Sequence, residues 1–263
     1  MSLSADLALI SEAAREAGAL ALDLRARGLD TQFKADKSPV TNADLACDAL
    51  LLERLQAARP DYGWLSEETT DNPERMGRQR TFVVDPIDGT RAFVKEKAWW
   101  AVSIAVVEAG RPTVGAIYAP QLDQLFVATL GGGAFLNGQA ISTSQTGQLE
   151  GCAMVGDAEM FRHPAWPEPW PEMRVKARNS IAYRMGLVAC GEFDAALALS
   201  PKSDWDLAAG DLITAEAGGV STNHYGQDFT YNGPNPTQRS MVCSARPLAS
   251  LILNRVRHIG LSS

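Results

Sequence analysis

The chain has 263 residues, 46% of them hydrophobic and 21% charged, with a formal net charge of −7 at neutral pH. That is apolar material for one large domain or two closely packed ones. The acidic balance, with no long basic run, excludes broad nucleic-acid or anionic-membrane binding. Cys47, Cys152, Cys190 and Cys243 show no C-x-x-C spacing and read as scattered, mostly buried thiols, not a zinc site or disulfide framework. The opening "MSLSADL" lacks the basic and apolar regions of a signal peptide, and no transmembrane run follows, so a cytoplasmic protein is expected.

Leu7, Ile10, Ala14, Ala17, Leu20, Ala21 and Leu24 recur at helical spacing and predict a first helix over 4–27, stopped by Gly28. The loop "KADKSPVTNAD" follows, and Thr41 or Asn42 is the expected cap of a second helix ending by Pro60. A short strand at 63–66 and the polar loop "SEETTDNPERMGRQR" lead into a strand that opens at Thr81. From Trp100, "WAVSIAVVEAG", "PTVGAIYAP" and "QLFVATL" read as consecutive antiparallel strands, with Asn137-Gly138 as a hairpin turn. No GK[ST] follows Gly131 to Gly133, so a strand turn is expected there, not a phosphate loop. Residues 144–176, rich in Pro, Trp and Gly, read as a boundary with long loops. Beyond them come a helix at about 180–190, the strand "FDAALAL", the helix "DLAAGDLITAEAGG", a β-like run near 239–244 and the helix "PLASLILNRVRH". The pattern divides the chain into an N-terminal α+β part, residues 1–143, and a C-terminal α/β part, residues 144–263.

The stretch "VVDPIDGTRAF" places Asp85 and Asp88 three positions apart across Pro86. Two carboxylates ~5 Å apart at an effective dielectric of ~20 repel by roughly 3 kcal/mol. Water, a shared proton, a basic side chain or a cation must offset that cost. Pro86 holds Asp85 out of the helical region and Gly89 admits a close approach to the backbone, so the strand is expected to end here in a fixed turn. A helix starting near Thr90 would turn free N–H groups to the same place, which suits a divalent cation bridging the carboxylates to a phosphate. Asp-Pro and Asp-Gly are also ordinary turn dipeptides. An EF-hand reading fails, because the third and fifth positions from Asp85 are Ile87 and Gly89. Taken singly, Glu67-Glu68 in "WLSEETTDN" is a solvated pair, and Asp204 and Asp206 in "SDWDLAAGDLITAEAGG" are helix-start acids.

Together, "DPIDGTRAF", "SEE", "SDWDLAAGDLITAEAGG" and "KADKSPVTNAD" resemble the signature segments of the inositol monophosphatase superfamily, in its order and spacing, over about residues 30–220. The resemblance implies a sugar-phosphatase-like αβαβα fold, an α/β layered sandwich with an antiparallel sheet in its first half. It implies hydrolysis of a phosphate monoester with two or three Mg²⁺ ions. Glu67, Asp85, Asp88, Asp206 and the Ile87 carbonyl would be the metal ligands. Asp88, Gly89 and Thr90 would bind phosphate, the last two through their amides. Thr90, paired with Asp44, would orient and deprotonate the attacking water, with Glu67 beside it. Ser66 departs from the family's usual Gly before the Glu pair and is expected to matter little unless φ is positive there. Hard oxygen donors in this number suit Mg²⁺, and the three histidines lie outside the motifs, which speaks against a histidine base.

The implied partner is a small phosphorylated metabolite, with inositol monophosphate or a similar polyol phosphate leading. A 3′(2′),5′-bisphosphate nucleotide is the runner-up, and histidinol phosphate follows, because Arg91 in "DPIDGTRAF" also occurs in such enzymes. A homodimer and lithium sensitivity come with the resemblance alone. Inositol enzymes commonly carry a hydroxyl-binding glutamate seven residues before the Asp of the Trp-Asp pair. Here Leu199 stands in that position, and a leucine accepts no hydrogen bond. Arg178, Ser180, Arg184, Lys202 and Asp204 are the nearby candidates for substrate contact, with Lys202 and Arg178 suited to a second phosphate. The alternative from another class is a regulatory or binding protein on the same fold.

Overall fold

The computed structural model describes residues 2–35, 37–164 and 166–260. Asp36 of the "KADKSPVTNAD" motif, Met1 and residues 261–263 lie outside the described residues. Helix α1 (Leu3–Arg27) is capped by the Ser2 hydroxyl and stops at Gly28, whose φ of 108° is open to glycine. Strands β1 (Thr31–Phe33) and β2 (Pro39–Thr41) form a small antiparallel hairpin where the sequence predicts a loop. Thr41 caps α2 (Asn42–Ala58). Then β3 (Gly63–Ser66) and β4 (Arg80–Asp88) pair in parallel.

After the short helix α3 (Thr90–Val94), strands β5 (Ala101–Glu108), β6 (Arg111–Ala119), β7 (Gln124–Thr129), β8 (Gly133–Leu136) and β9 (Gln139–Ala140) complete a seven-stranded sheet in chain order, antiparallel from β4 onward. Gly131 to Gly133 form the β7–β8 turn and Asn137-Gly138 the β8–β9 turn, both with positive φ as hairpins of this kind need.

The second part contributes β10 (Ala153–Val155), α4 (Ala158–Arg162), β11 (Arg174–Lys176), α5 (Ile181–Ala189), β12 (Ala195–Ala198), β13 (Lys202–Ser203), α6 (Asp204–Glu216), β14 (Gly219–Thr222), β15 (Thr237–Gln238), β16 (Met241–Ala245) and α7 (Ala249–Val256). Its five-stranded sheet runs β11-β10-β12-β16-β14, with the first three strands parallel. Both sheets are covered on both faces. On β5, Val102, Ile104 and Val106 face α1 and α2, whereas Ala101, Ala105 and Val107 face the layer of α5 and α6. That explains why β5 reads as a continuous apolar run and not as an alternating one. Met154, Ala195, Leu197 and Val242 turn the other way, to Ile252 and Val256 of α7. The order of layers is helices, sheet, helices, sheet, helix, which is the expected αβαβα sandwich. The layer of α5 and α6 packs both sheets into one core, because the same cluster holds Val83 and Phe126 from one sheet and Ala196 and Cys243 from the other. Cys47, Cys152 and Cys243 are buried and all four cysteines are free thiols.

Candidate active site

Six local devices bring the predicted acids to one place. Strand β4 does not end at Asp85: it bulges across Pro86 and Ile87 and resumes pairing at Asp88 opposite Ala101. The bulge turns both carboxylates to the same end of the sheet, and the Ile87 amide holds Asp85 Oδ1 at 3.0 Å. Gly89 follows with φ 94°, and a Cβ there would stand 3.1 Å from the Ser180 amide nitrogen, so its place against α5 is open to glycine alone. Ser180 caps α5 and, with the Ala182 amide, donates to Asp88 Oδ2. On the neighbouring strand, Ser103 pairs with Asp85, and its hydroxyl donates to the Trp205 carbonyl at 3.1 Å. That bond sets the first turn of α6, and hence Asp206, beside Asp85. Asp206 itself closes a capping box with Ser203, Oδ2 accepting from the Ser203 amide at 2.8 Å. Where α5 and α6 cross, Gly210 lets Met185 approach: a Cβ would lie 2.7 Å from the Met185 side chain.

The outcome is one oxygen from each of Asp85, Asp88 and Asp206 within 4.8 Å of the others. Glu67 leaves β3 beside β4, its amide bonded to the Val84 carbonyl at 3.2 Å, and lines the same cavity of about 300 Å³. Its carboxylate meets Lys34 of the β1–β2 hairpin at 2.9 Å, and Lys34 also meets Glu68 at 2.8 Å. Thr90 donates to Asp44 Oδ1 at 3.0 Å and lies 3.1 Å from the Ile87 carbonyl. Asp44 Oδ2 is held by the amide and hydroxyl of Thr41, a second capping box. Ser66 sits in extended β3 with its hydroxyl on Asp48, so a glycine is not needed there.

The electrostatics of the cluster are those of uncompensated acids. Burial, then the charge of Glu67 and the neighbouring aspartates, raises Asp85 well above the ordinary carboxylate range. Burial pushes Asp88 up to about 6, against the opposing bonds from Ser180 and Ala182. Burial and the Asp88 charge push Asp206 up to about 8. Asp44 is raised by burial, and Thr41 opposes the rise. All donors are hard oxygens, and among the described residues no basic side chain forms an ion pair with the three aspartates. That donor set fits a divalent cation such as Mg²⁺.

The substrate-side expectations divide. Lys202 lines the cavity, as do Asn179 and Arg91. Ser180 is fully buried and spends its hydroxyl on Asp88 and its acceptor on the Tyr183 amide, so it props a site residue and does not face the cavity. Asp204 is also fully buried: its oxygens accept from Gln238 and the Asn232 amide, which ties α6 to the β15 segment. Arg178 stacks its guanidinium 4.3 Å from the Trp99 ring centroid. Arg184 donates to the Arg178 carbonyl. Leu199 packs against the outer core cluster of β10, β12, β16 and α7 and is not among the cavity-lining residues. Sequence reasoning missed Lys34 as the partner of the Glu pair, and Ser38, Pro39 and Asn179 as cavity walls. No spacing rule marks them, because a hairpin and a loop carry them in from a distance.

The family model for the inositol monophosphatase family matches residues 3–260. The chain belongs to the inositol monophosphatase family. An inositol monophosphatase 2 of Solanum lycopersicum is 31% identical over 230 residues, covering 83% of this chain and 87% of that one. A histidinol-phosphatase of Chlorobaculum parvum is 33% identical over 239 residues, covering 88% and 90%. The extragenic suppressor protein suhB of Bartonella henselae superposes with a TM-score of 0.83 at 26% identity, covering 96% of this chain and 98% of that one. As a member of the inositol monophosphatase family the protein is a phosphomonoesterase. Among the described residues no helix is long and apolar enough to cross a membrane.

Proposed function

We propose that this phosphomonoesterase is Mg²⁺-dependent and acts on a small phosphorylated metabolite at the Asp85–Asp88–Asp206 cluster. The observation that carries the reading is the convergence of those three carboxylates within 4.8 Å, beside a threonine hydroxyl already hydrogen-bonded to a buried carboxylate. Glu67, Asp85, Asp88, Asp206 and the Ile87 carbonyl would hold the ions. When bound, Mg²⁺ supplies positive charge that offsets the carboxylates, acidifies water and stabilises the leaving oxygen.

The rest falls to the chain itself. The first N–H groups of α3 have no partner within the helix, so Gly89 and Thr90 can receive phosphate oxygens. Thr90 keeps lone pairs for a water while its proton points to Asp44, whose other oxygen is locked by Thr41. A proton taken from water at Thr90 Oγ1 can therefore pass to Asp44. A purely regulatory role fits less well, since such a role needs neither this relay nor the clustered acids. Polyol phosphates remain within reach of the site, but Leu199 removes the acceptor that would favour inositol. The test is release of inorganic phosphate from p-nitrophenyl phosphate with Mg²⁺ and with EDTA. Equal release in both would refute the metal dependence.

A further inference from the structure

A second cavity, of about 420 Å³, shares no lining residue with the carboxylate cavity. It lies at the far end of the central sheet. Strand β5 starts at Ala101, opposite Asp88, and runs to Glu108, and β6 then opens with Arg111 and Pro112, which line this cavity. Asp211 and Leu212 enter it from α6, and Val220 and Ser221 from β14. Leu130, in the β7–β8 turn, also lines it and is 58% exposed. Its size, its apolar walls and its few polar groups are those of a small-molecule site.

Charges of both signs line this cavity without meeting. Asp211 accepts from the Tyr231 hydroxyl through Oδ2 at 3.0 Å, and its Oδ1 has no hydrogen-bond partner among the described residues. Arg111 donates to the Phe229 carbonyl at 3.1 Å, and its one ion pair among the described residues is with the exposed Asp228, at 3.6 Å. Arg246 donates to the Gly219 carbonyl at 3.1 Å and forms no ion pair among the described residues. Burial pushes Asp211 up to about 7 while the Tyr231 bond and the Arg111 charge oppose the rise, so the carboxylate feels that guanidinium without touching it. Neutral partners thus hold the two signs apart. Ser221 is buried, and its hydroxyl has no hydrogen-bond partner among the described residues.

Groups fixed in this way are incomplete: a partly buried carboxylate lacks a cation in contact, and Arg246 lacks an anion. An anion alone would meet Asp211, and a cation alone would meet two guanidiniums. A zwitterion serves both. The geometry points to a second ligand site, which takes a free amino acid with an apolar side chain. Its ammonium pairs with Asp211, its carboxylate with Arg111 and Arg246, and its side chain packs against Pro112, Leu130, Leu212, Val220 and Phe229. None of these residues takes part in the phosphate chemistry, so the site stands apart from the phosphatase reading.

The test is calorimetric titration of the full chain with L-phenylalanine and its two half-analogues, at about pH 8 so that Asp211 is mainly ionised. Phenethylamine keeps the ammonium and lacks the carboxylate, and 3-phenylpropionate keeps the carboxylate and lacks the ammonium. L-Phenylalanine is expected to bind with a Kd of about 1 mM or tighter, and each analogue about tenfold or more weakly, about 1.4 kcal/mol. Asp211→Asn should bring phenylalanine within about threefold of 3-phenylpropionate, because the partner of the ammonium is gone. Arg111→Met combined with Arg246→Met should bring it within about threefold of phenethylamine. Both arginines are exposed, so the double variant should fold, and its melting curve checks that it does. Asp206→Asn alters only the other cavity and should leave phenylalanine binding unchanged. Absence of binding would overturn the proposal, as would analogues that bind as tightly as the amino acid, or folded variants that keep the full preference. Loss of binding in Asp206→Asn would move the ligand to the carboxylate cavity and overturn it as well.

Discussion

Asp206→Asn removes charge from the cluster while nearly preserving its shape, because the amide oxygen can still accept from the Ser203 N–H that Asp206 now caps. Oxygens of the three aspartates lie within 4.8 Å of one another. At that separation and an effective dielectric of ~20, each ionised pair repels by about 3.5 kcal/mol. Removing one charge deletes two such pairs. In the wild type without metal, protonation already relieves most of that repulsion, as the upward displacement of Asp206 to about 8 indicates. A net gain of about 2 kcal/mol is expected in EDTA, which for a chain of this size raises Tm by roughly 4–8 °C. Mg²⁺ acts in the opposite sense: at a hundred times its Kd it stabilises the wild type by about 2.7 kcal/mol, and the variant by much less. Calorimetry in EDTA and across a Mg²⁺ titration, with phosphate release measured alongside, checks all three outcomes. A variant that melts below the wild type in EDTA, or one that gains as much from Mg²⁺, would refute the cluster as the cation site.

Thr90→Ala and Asp44→Asn should each lower kcat far more than they weaken Mg²⁺ binding, and the double variant should be little worse than either alone, because one proton path is broken once; additive losses in kcat would argue for separate roles. Asp6 is fully buried under Arg59, Arg80 and Tyr62, so Asp6→Ala takes from the largely buried Arg59 guanidinium the only carboxylate paired with it among the described residues, while Arg80 keeps Glu108, and should cost about 3 kcal/mol in urea unfolding, with turnover per folded molecule unchanged. Asp211 accepts from Tyr231 and is pushed up to about 7 by burial, so the folded chain binds its proton more tightly than the unfolded one. Stability from that group is present below about pH 4 and is lost as pH rises to 7, by on the order of 4 kcal/mol. Asp211→Asn should therefore gain on the wild type steadily over that range, and a constant difference between the two unfolding curves would contradict the assignment.

How much of this was legible in the sequence depends on how far each feature reaches along the chain. Helix starts are local, and Thr41 caps α2 as its position suggests, whereas the caps at Ser180 and Ser203 emerge only in the structure. Asp44 and Asp206 show that a capping role leaves room for a role in the proposed site. Each stands at the N3 position of a capping box; Asp44 turns its other oxygen to Thr90, and Asp206 offers an oxygen to the carboxylate cluster. A cap fixes a carboxylate's rotamer at a helix start, and that rigidity is what a cation or a proton relay requires. The turn at Asp85 was misjudged because a strand bulge and a strand end look alike in sequence: both call for Pro and Gly. Only the pairing of Asp88 with Ala101 on β5 tells them apart.

Ser180 and Asp204 were misjudged for a different reason. Small polar residues beside a motif can face the cavity or the fold, and the choice is made by partners distant in the chain. Ser180 meets an acid 92 residues away, and Asp204 an amide 28 residues away. Lys34 is the sharpest case. It lies in a motif that was recognised, yet its bond to the Glu67–Glu68 pair depends on how the β1–β2 hairpin folds over β3. The carboxylates could be read from spacing because the chemistry demands their number. The residues that steady them could not, because many arrangements of the fold would serve equally well.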